Sequence, residues 1–480
     1  MATLIAAEEQ RVEEQSAALK KELGLRDLVL QQVVYVVGTI WVGTAAKLGH
    51  QQLIFWLAAM AFFYLPQAAV VIHLTKRMPL EGGLYQWARI GLGEMSGFMV
   101  AWNLWVYAVV LIATIGLQIG TNLSYAFGPA AAWAATSKPA IMLINGFLLT
   151  ALMVIAALGL GVSKWLHNAG SIMLMLAFAA LIALPFLPFA HGRVPDAHPF
   201  AVAMPAFTLF SLNVFGKMSM GALSGFEYVA ITAGEAKDAA RNIGRATIIA
   251  APIIALMFIL GTSSVLAFVP IDKINLIGPI PQVLSTGFGA TSLGGIVAAV
   301  AILLLSGRTL ANASIAFTGT TRMPMVAGWD NLLPNWFTKL HPRFRTPVNS
   351  ILFVGLIALA FGAAGIAGVG EQEAFQLLDN AAGIFYGITY LLMFAVPLIG
   401  LRQLEPRPPL WLRLASFSGF GVTLLYVVLS IFPIIDVTSW FSFAMKISGV
   451  VVGLNLVGAA LYWNATRRRL AAAGPTPEIA

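Results

Sequence analysis

Apolar stretches alternate along the chain with short breaks rich in charge, Pro and Gly, and fall at 27–47, 52–75, 86–125, 139–160, 168–190, 206–233, 246–269, 293–320, 347–367, 376–400, 411–432 and 440–463. A membrane-crossing helix needs about 20 predominantly apolar residues. The pattern therefore predicts twelve transmembrane helices in one all-α integral membrane unit. Stretch 86–125 is long enough for one tilted helix plus a connector, and 270–292 reads as a Pro/Gly-rich outer loop with room for short helices.

Composition agrees: 59% of residues are apolar, 10% are charged and the mean hydropathy is +0.85. A soluble domain is about 25% charged, so the lipid bilayer is the expected surroundings. The expected division is a cytoplasmic tail at 1–25, a transmembrane domain at 26–465 and a second cytoplasmic tail at 466–480. The tail up to Lys21 mixes Glu8, Glu9, Arg11, Glu13, Glu14 and Lys20 without the charged-then-apolar order of a signal peptide. With the N-terminus inside, 21 of the 28 basic residues fall in inner loops and tails, against four in outer loops (Lys47, Lys138, Arg193, Lys273). That bias predicts both termini in the cytoplasm of a multi-pass cell-membrane protein. It also accounts for the net charge of +8 without a nucleic-acid partner.

Candidate chemistry is sparse. Cysteine is absent, and the six histidines are scattered without H-E-x-x-H or a paired metal spacing. A phosphate-binding G-x-x-x-x-G-K-[ST] loop is also missing. Neither a metal site, a cofactor, a membrane-embedded enzyme nor an ATP-driven pump is expected. Two spans stand out instead. The first is interrupted by Gly38-Thr39-Ile40-Trp41-Val42-Gly43-Thr44, and the sixth contains Gly216, Gly221, Ser224, Gly225, Phe226 and Glu227. A helix that opens at mid-bilayer exposes N–H and C=O groups that need a ligand, an ion or a water-lined cavity. Interruptions at matching positions of two five-span halves point to an inverted-repeat secondary transporter; glycines that merely allow close helix packing are the competing explanation.

Three blocks carry a resemblance. Glu81-Gly82-Gly83-Leu84-Tyr85-Gln86-Trp87-Ala88-Arg89, with Gly91, Gly93, Gly97-Phe98 and Trp102, resembles the segment 2 to 3 signature of the amino acid, polyamine and organocation (APC) permease superfamily. Gly225-Phe226-Glu227 followed by Gly234-Glu235-Ala236-Lys237-Asp238 to Ile243 is similar to its segment 6 pattern, and Thr321-Arg322-Met323 to Pro334 with His341-Pro342-Arg343 to Val348 resembles its segment 8 to 9 loop. The resemblance covers about 20 to 465 and implies a five-plus-five inverted repeat with discontinuous helices 1 and 6 plus two further helices, moving an amino acid by alternating access. It implies a substrate site at Gly38, Thr39, Ile40, Gly43, Thr44, Gly221, Ser224, Gly225 and Phe226, with gating or coupling at Glu227, Trp41 and Arg308. The physical chemistry agrees, because a half-helix N-terminus attracts an anion and a C-terminus a cation, which suits a zwitterion. Symport with H+ or Na+ and exchange against a counter-substrate both stay open, as does a non-transporting amino-acid sensor on the same fold.

The sequence departs from the family at named places. The large aromatic usual six residues before the segment 6 Glu is Gly221, so any aromatic lid comes from Phe226, Trp41 or Tyr35. The segment 5 lysine of proton-coupled branches is absent near Met173 or Leu174. The region of Phe268-Val269-Pro270 with Ile274-Asn275-Leu276 is similar to the glutamate and γ-aminobutyrate exchanger branch. Charges within spans are functional candidates, because each costs roughly 2.5–3.5 kcal/mol at the helix centre on insertion scales. Glu227 is read as a proton acceptor, a gate or a partner for the substrate amine, against a structural carboxylate. Lys217 is expected to snorkel to the outer interface, against a part in steering an anionic or zwitterionic substrate. Arg308 either meets a substrate carboxylate or pairs with a carbonyl or carboxylate of the protein, and Asp379-Asn380 is a candidate gate or site element.

Overall fold

The computed structural model describes residues 10–195, 198, 200–289, 292–365, 371–401, 407–437 and 439–473. Among them the chain is helical without a strand; one isolated bridge joins Leu23 to Ala236. The helices are α1 (Leu25–Val36), α2 (Thr39–Ala46), α3 (Gly49–Arg77), α4 (Leu84–Leu92), α5 (Glu94–Ala131), α6 (Lys138–Leu158), α7 (Leu160–Phe186), α8 (Leu209–Gly216), α9 (Tyr228–Ile231), α10 (Ala239–Phe268), α11 (Pro279–Phe288), α12 (Ser292–Trp329), α13 (Val348–Gly365), α14 (Glu371–Ala395), α15 (Leu410–Leu429) and α16 (Trp440–Ala473).

Among the described residues nine helices are long and apolar enough to cross a membrane, or ten if α1 and α2, bent by 43°, form one span. The two expected segments without a helix of that length are the sixth, which breaks between Ala222 and Tyr228, and the ninth, whose apolar run Val348–Gly362 is short. Stretch 86–125 turns at Gly93, which separates the short α4 from the long α5. The outer-loop expectation resolves into α11 within 270–292.

Burial is inverted relative to a soluble domain. Leu143, Phe147 and Phe441 are at least three-quarters exposed, whereas Gln32, Gln67, Asn103, Lys217, Glu227, Arg308 and Asn380 are buried. Lipid satisfies the first group and other helices the second. Gln32 donates to Thr247 at 3.0 Å, Trp56 to Thr262 at 3.1 Å and Gln52 to Ser263 at 3.2 Å, which ties α1 and α3 to the hydroxyl-rich face of α10. Small residues set the approach of α7 to α12: Gly170 lies on Ala311 and Gly307 on the Met173 sulfur, leaving no space for a Cβ at either glycine.

One face of the bundle gathers the two ends of the described chain and all three family-like blocks. Glu81 accepts from Gly234 N–H at 2.9 Å, and Glu235 accepts from Arg322 at 3.0 and 2.8 Å. Gly83, at φ +41°, lies so close to Ala230 that a Cβ would fall 2.7 Å from its carbonyl carbon. Asp330 receives Arg11, Tyr85 and Arg89, and Arg469 pairs with Glu94 at 2.6 Å while reaching the Asp330 carbonyl at 3.3 Å. These interactions hold the chain just after the second helix break in a fixed frame, which is what the motif residues contribute to the site.

Candidate functional site

The first break is short. Val37 and Gly38 leave helical geometry (ψ 87° and 128°), and α2 resumes at Thr39. Gly38 N–H bonds to the Val36 carbonyl at 2.8 Å and Trp41 N–H to the Gly38 carbonyl at 3.3 Å. The carbonyls of Val34 and Val37 thus lose the donors four residues on that a continuous helix would give them. The second break follows a π-helical turn, Lys217–Ala222, and runs through Ser224, Gly225, Phe226 and Glu227. Gly225 sits at φ +125° with no room for a Cβ, since one would meet the Tyr35 ring at 2.8 Å.

Both breaks face one cavity of about 90 Å³. Its wall includes Tyr35, Gly38, Thr39, Ile40 and Trp41 from the first break, and Gly221 and Ser224 from the second. Tyr107, Thr114 and Gln118 of α5, Arg308 and Asn312 of α12, and Asp379 and Tyr386 of α14 complete it. That volume lies below the roughly 300–1,000 Å³ of pockets that hold drug-sized ligands, so the cavity suits a compact solute. A separate recess of about 860 Å³ is lined by residues that include Lys47, Asp272, Lys273, Glu373 and Asp436.

Of the expected site residues, Gly38, Thr39, Ile40, Trp41, Gly221, Ser224 and Arg308 line this cavity together; Gly43, Thr44, Gly225, Phe226 and Glu227 do not. Gly43 and Thr44 belong to the continuous helix α2, because the break is confined to Val37 and Gly38. Gly43 packs on Pro279, where a Cβ would fall 2.6 Å from the ring, and Thr44 bonds back to the Ile40 carbonyl at 3.3 Å. Phe226 is fully buried against Tyr64, with ring centroids 4.9 Å apart, so it is not a cavity lid. Trp41 lies in the cavity wall: its indole spans from Gly38 to Gly221, and a Cβ at Gly221 would lie 2.5 Å from Cη2. The missing aromatic at 221 is thus accounted for sterically, since the Trp41 ring fills the space a side chain there would need.

Glu227 is buried one residue behind the cavity wall, with its two carboxylate oxygens accepting from Tyr386 and Tyr390. Gly225 N–H in turn donates to the Tyr390 oxygen at 2.8 Å, so the carboxylate is tied to the open backbone through a phenol. Tyr386 stacks on Tyr107 at 4.2 Å and Tyr35 on Tyr228 at 4.2 Å. Lys217 does not snorkel: it is buried at the start of the π turn and donates to Asn380 of α14. Arg308 donates through one nitrogen to the carbonyls of Val34 at 3.2 Å and Val37 at 2.6 Å. Its partners in the protein are therefore carbonyls, one of the alternatives open from sequence. Tyr107, Asn312, Tyr386 and Tyr390 escaped the sequence reading; two tyrosines four apart in an apolar span, on one helix face, were the signal for the last pair. Among the described residues no three His, Asp or Glu side chains gather as a metal site would require.

A sequence profile for amino acid permeases matches residues 28–454. The chain is 26% identical to an uncharacterized transporter of Legionella pneumophila over 84% of this chain and 87% of that protein. It is 24% identical to the methylthioribose transporter of Bacillus subtilis (82% and 83%) and 23% identical to a branched-chain amino acid permease of the same organism (76% and 80%).

Proposed function

The chain belongs to the amino acid permease family of the APC superfamily, and on that premise we propose that it is a secondary transporter carrying an amino acid or a close relative across the cell membrane by alternating access. In this reading residues 26–465 form twelve spans. Ten of these make two inverted five-span halves, whose first members are the broken pairs α1–α2 and α8–α9, and α15 and α16 are the additional two. Both termini are cytoplasmic, in keeping with the 21 to 4 bias of basic residues.

The observation that carries the reading is the opening of two broken helices onto one cavity. The first turn of α2 offers N–H groups near Thr39 and Ile40 to a carboxylate, and carbonyls at the second break suit an ammonium, those freed at the first being met by Arg308. Trp41 covers the solute, Gly221 leaves room for that ring, and Ser224 adds a hydroxyl. Glu227 acts through Tyr386, a residue of the cavity wall, as the gating or coupling group. The driving force is a proton, a sodium ion or a counter-substrate.

The relatives' names include branched-chain amino acids and a thio-sugar, so the test is a panel of both kinds. Purified protein is expected to gain thermal stability with at least one L-amino acid, saturably, by about 2.7 kcal/mol at a hundred times Kd. A response to methylthioribose or other sugars with none to amino acids would overturn the amino-acid assignment.

A further inference from the structure

We propose that Glu81 is a proton-binding carboxyl through which the carrier responds to cytoplasmic pH. With the proton bound, the frame behind the second helix break is closed; with the proton released to water, that frame loosens and transport slows. The effect on transport and the side of the membrane rest on the transporter reading above, whereas the proton site itself does not. Glu81 lies in the turn between α3 and α4 and is 0% exposed. One carboxyl oxygen accepts from Gly234 N–H at 2.9 Å, and the other, Oε1, is buried without a partner. A carboxylate in a dry place needs donors at both oxygens or a cation of its own. Glu81 has neither.

The charged groups that face it are Glu235 and Arg322. All three nitrogens of Arg322 are committed elsewhere: Nε and Nη2 to Glu235 at 3.0 and 2.8 Å, and Nη1 to the Thr318 carbonyl and the Thr321 hydroxyl, each at 3.2 Å. Two carboxyl groups thus share one guanidinium, and Glu235 holds it. With Glu81 ionised the buried cluster has a net negative charge; with Glu81 protonated it is neutral. Burial, and after it the Glu235 charge, accordingly push the Glu81 carboxyl well above the usual carboxylate range. The chain ahead of α1 covers the cluster: a Cβ at Gly234 would lie 3.1 Å from Ser16 Cβ, and the N–H groups of Glu22 and Leu23 donate to the Glu235 carbonyl at 2.9 and 3.1 Å. Gly82 N–H donates to the Ile231 carbonyl at 2.9 Å, so the turn that holds Glu81 is tied directly to the chain leaving the second break. A charge appearing on Glu81 repels Glu235 at that junction, which is how loss of the proton is felt at the break.

Thermal unfolding, and exchange of a radiolabelled mixture of protein L-amino acids in proteoliposomes, are measured for wild type, Glu81→Gln and Glu235→Gln from mildly acid to alkaline pH. Above about pH 4.3, the ordinary Glu value, the folded protein holds a proton at Glu81 that the unfolded chain has lost. Wild-type stability therefore declines as pH rises until Glu81 ionises, by up to about tenfold in the folding equilibrium per pH unit, and levels off beyond. Glu81→Gln is permanently neutral and is expected to lack that part of the decline. It is expected to match wild-type exchange at acid pH and to exceed it severalfold at alkaline pH. Taking each variant against wild type cancels the titration of Glu227 and Asp379, which both proteins retain. A Glu81→Gln protein whose stability follows the wild-type slope, or whose exchange falls with pH as wild type does, would overturn the proposal. If Glu81→Gln does not purify, Glu235→Gln decides. Removing the like charge and freeing Arg322 is expected to bring the end of the decline to lower pH, and an unmoved profile would overturn the proposal. The stability pattern without exchange in wild type at any pH would overturn the transporter reading and leave the proton site standing.

Discussion

Glu227→Gln is expected to abolish solute movement in a protein that still folds and purifies normally. The two carboxylate oxygens accept from Tyr386 and Tyr390 at the second break, so the side chain fixes both α14 and the open backbone. Glutamine retains one acceptor for Tyr386. Its NH2 faces the Tyr390 oxygen, and the Tyr390 hydroxyl can turn to the Gln67 amide oxygen, 3.1 Å away in the orientation its neighbours dictate. The fold therefore tolerates the change, whereas any step that needs the carboxylate to gain or lose a proton or to release a tyrosine is lost. Glu227→Ala removes both acceptors and is expected to destabilise the protein by about 3 kcal/mol, because each hydrogen bond to a charged group is worth roughly 1.5–3 kcal/mol. Flux of Glu227→Gln across a pH series is the check. Wild-type rates with an unchanged pH profile would leave Glu227 a structural role alone.

Gly221→Phe is expected to stop transport for a steric reason that the compensating change reverses. The Trp41 indole lies on Gly221, with a Cβ there 2.5 Å from Cη2, so a phenyl ring and the indole cannot share the space. Overpacking of this kind costs about 1–3 kcal/mol. It also forces Trp41 off its contact with Gly38 at the first break, where a Cβ would lie 2.6 Å from Nε1. Flux is expected to fall by more than about tenfold. Gly221→Phe combined with Trp41→Ala moves the aromatic group from the first break to the second and is expected to recover much of the loss, with a coupling of about 1 kcal/mol or more. Stabilities that simply add would show that the two side chains do not compete for one space.

What could be read from the sequence follows the range of each physical rule. Spans such as α6 and α10 are continuous apolar runs, and hydropathy alone located them. The break near Gly38 was visible as a run of small and polar residues, but its extent was not: Gly43 resembles Gly38 in sequence, yet it serves the approach of Pro279 within a regular helix. Local composition cannot separate a glycine that opens a helix from one that lets another element come close. Lys217 was misread for a related reason. The ten residues between it and Glu227 measure height only if the helix is regular, and the π turn at Lys217–Ala222 with the break after it removes that regularity. The tyrosines around Glu227 come from α1, α5, α9 and α14, a convergence that no single stretch of sequence displays. The three family-like blocks were legible as motifs, whereas their meeting on one face through Glu81, Glu235 and Arg322 required the fold.

Exchange in proteoliposomes tests the central claim most directly, that the cavity between two broken helices is a solute site with alternating access. Vesicles holding purified protein and unlabelled L-amino acids are placed in a trace of the labelled mixture, without ATP. The account predicts a transient accumulation of label above that of empty-loaded vesicles, lost in Glu227→Gln. Uptake no greater than in protein-free vesicles for every amino acid tested, from protein whose unfolding those same amino acids do not shift, would contradict it.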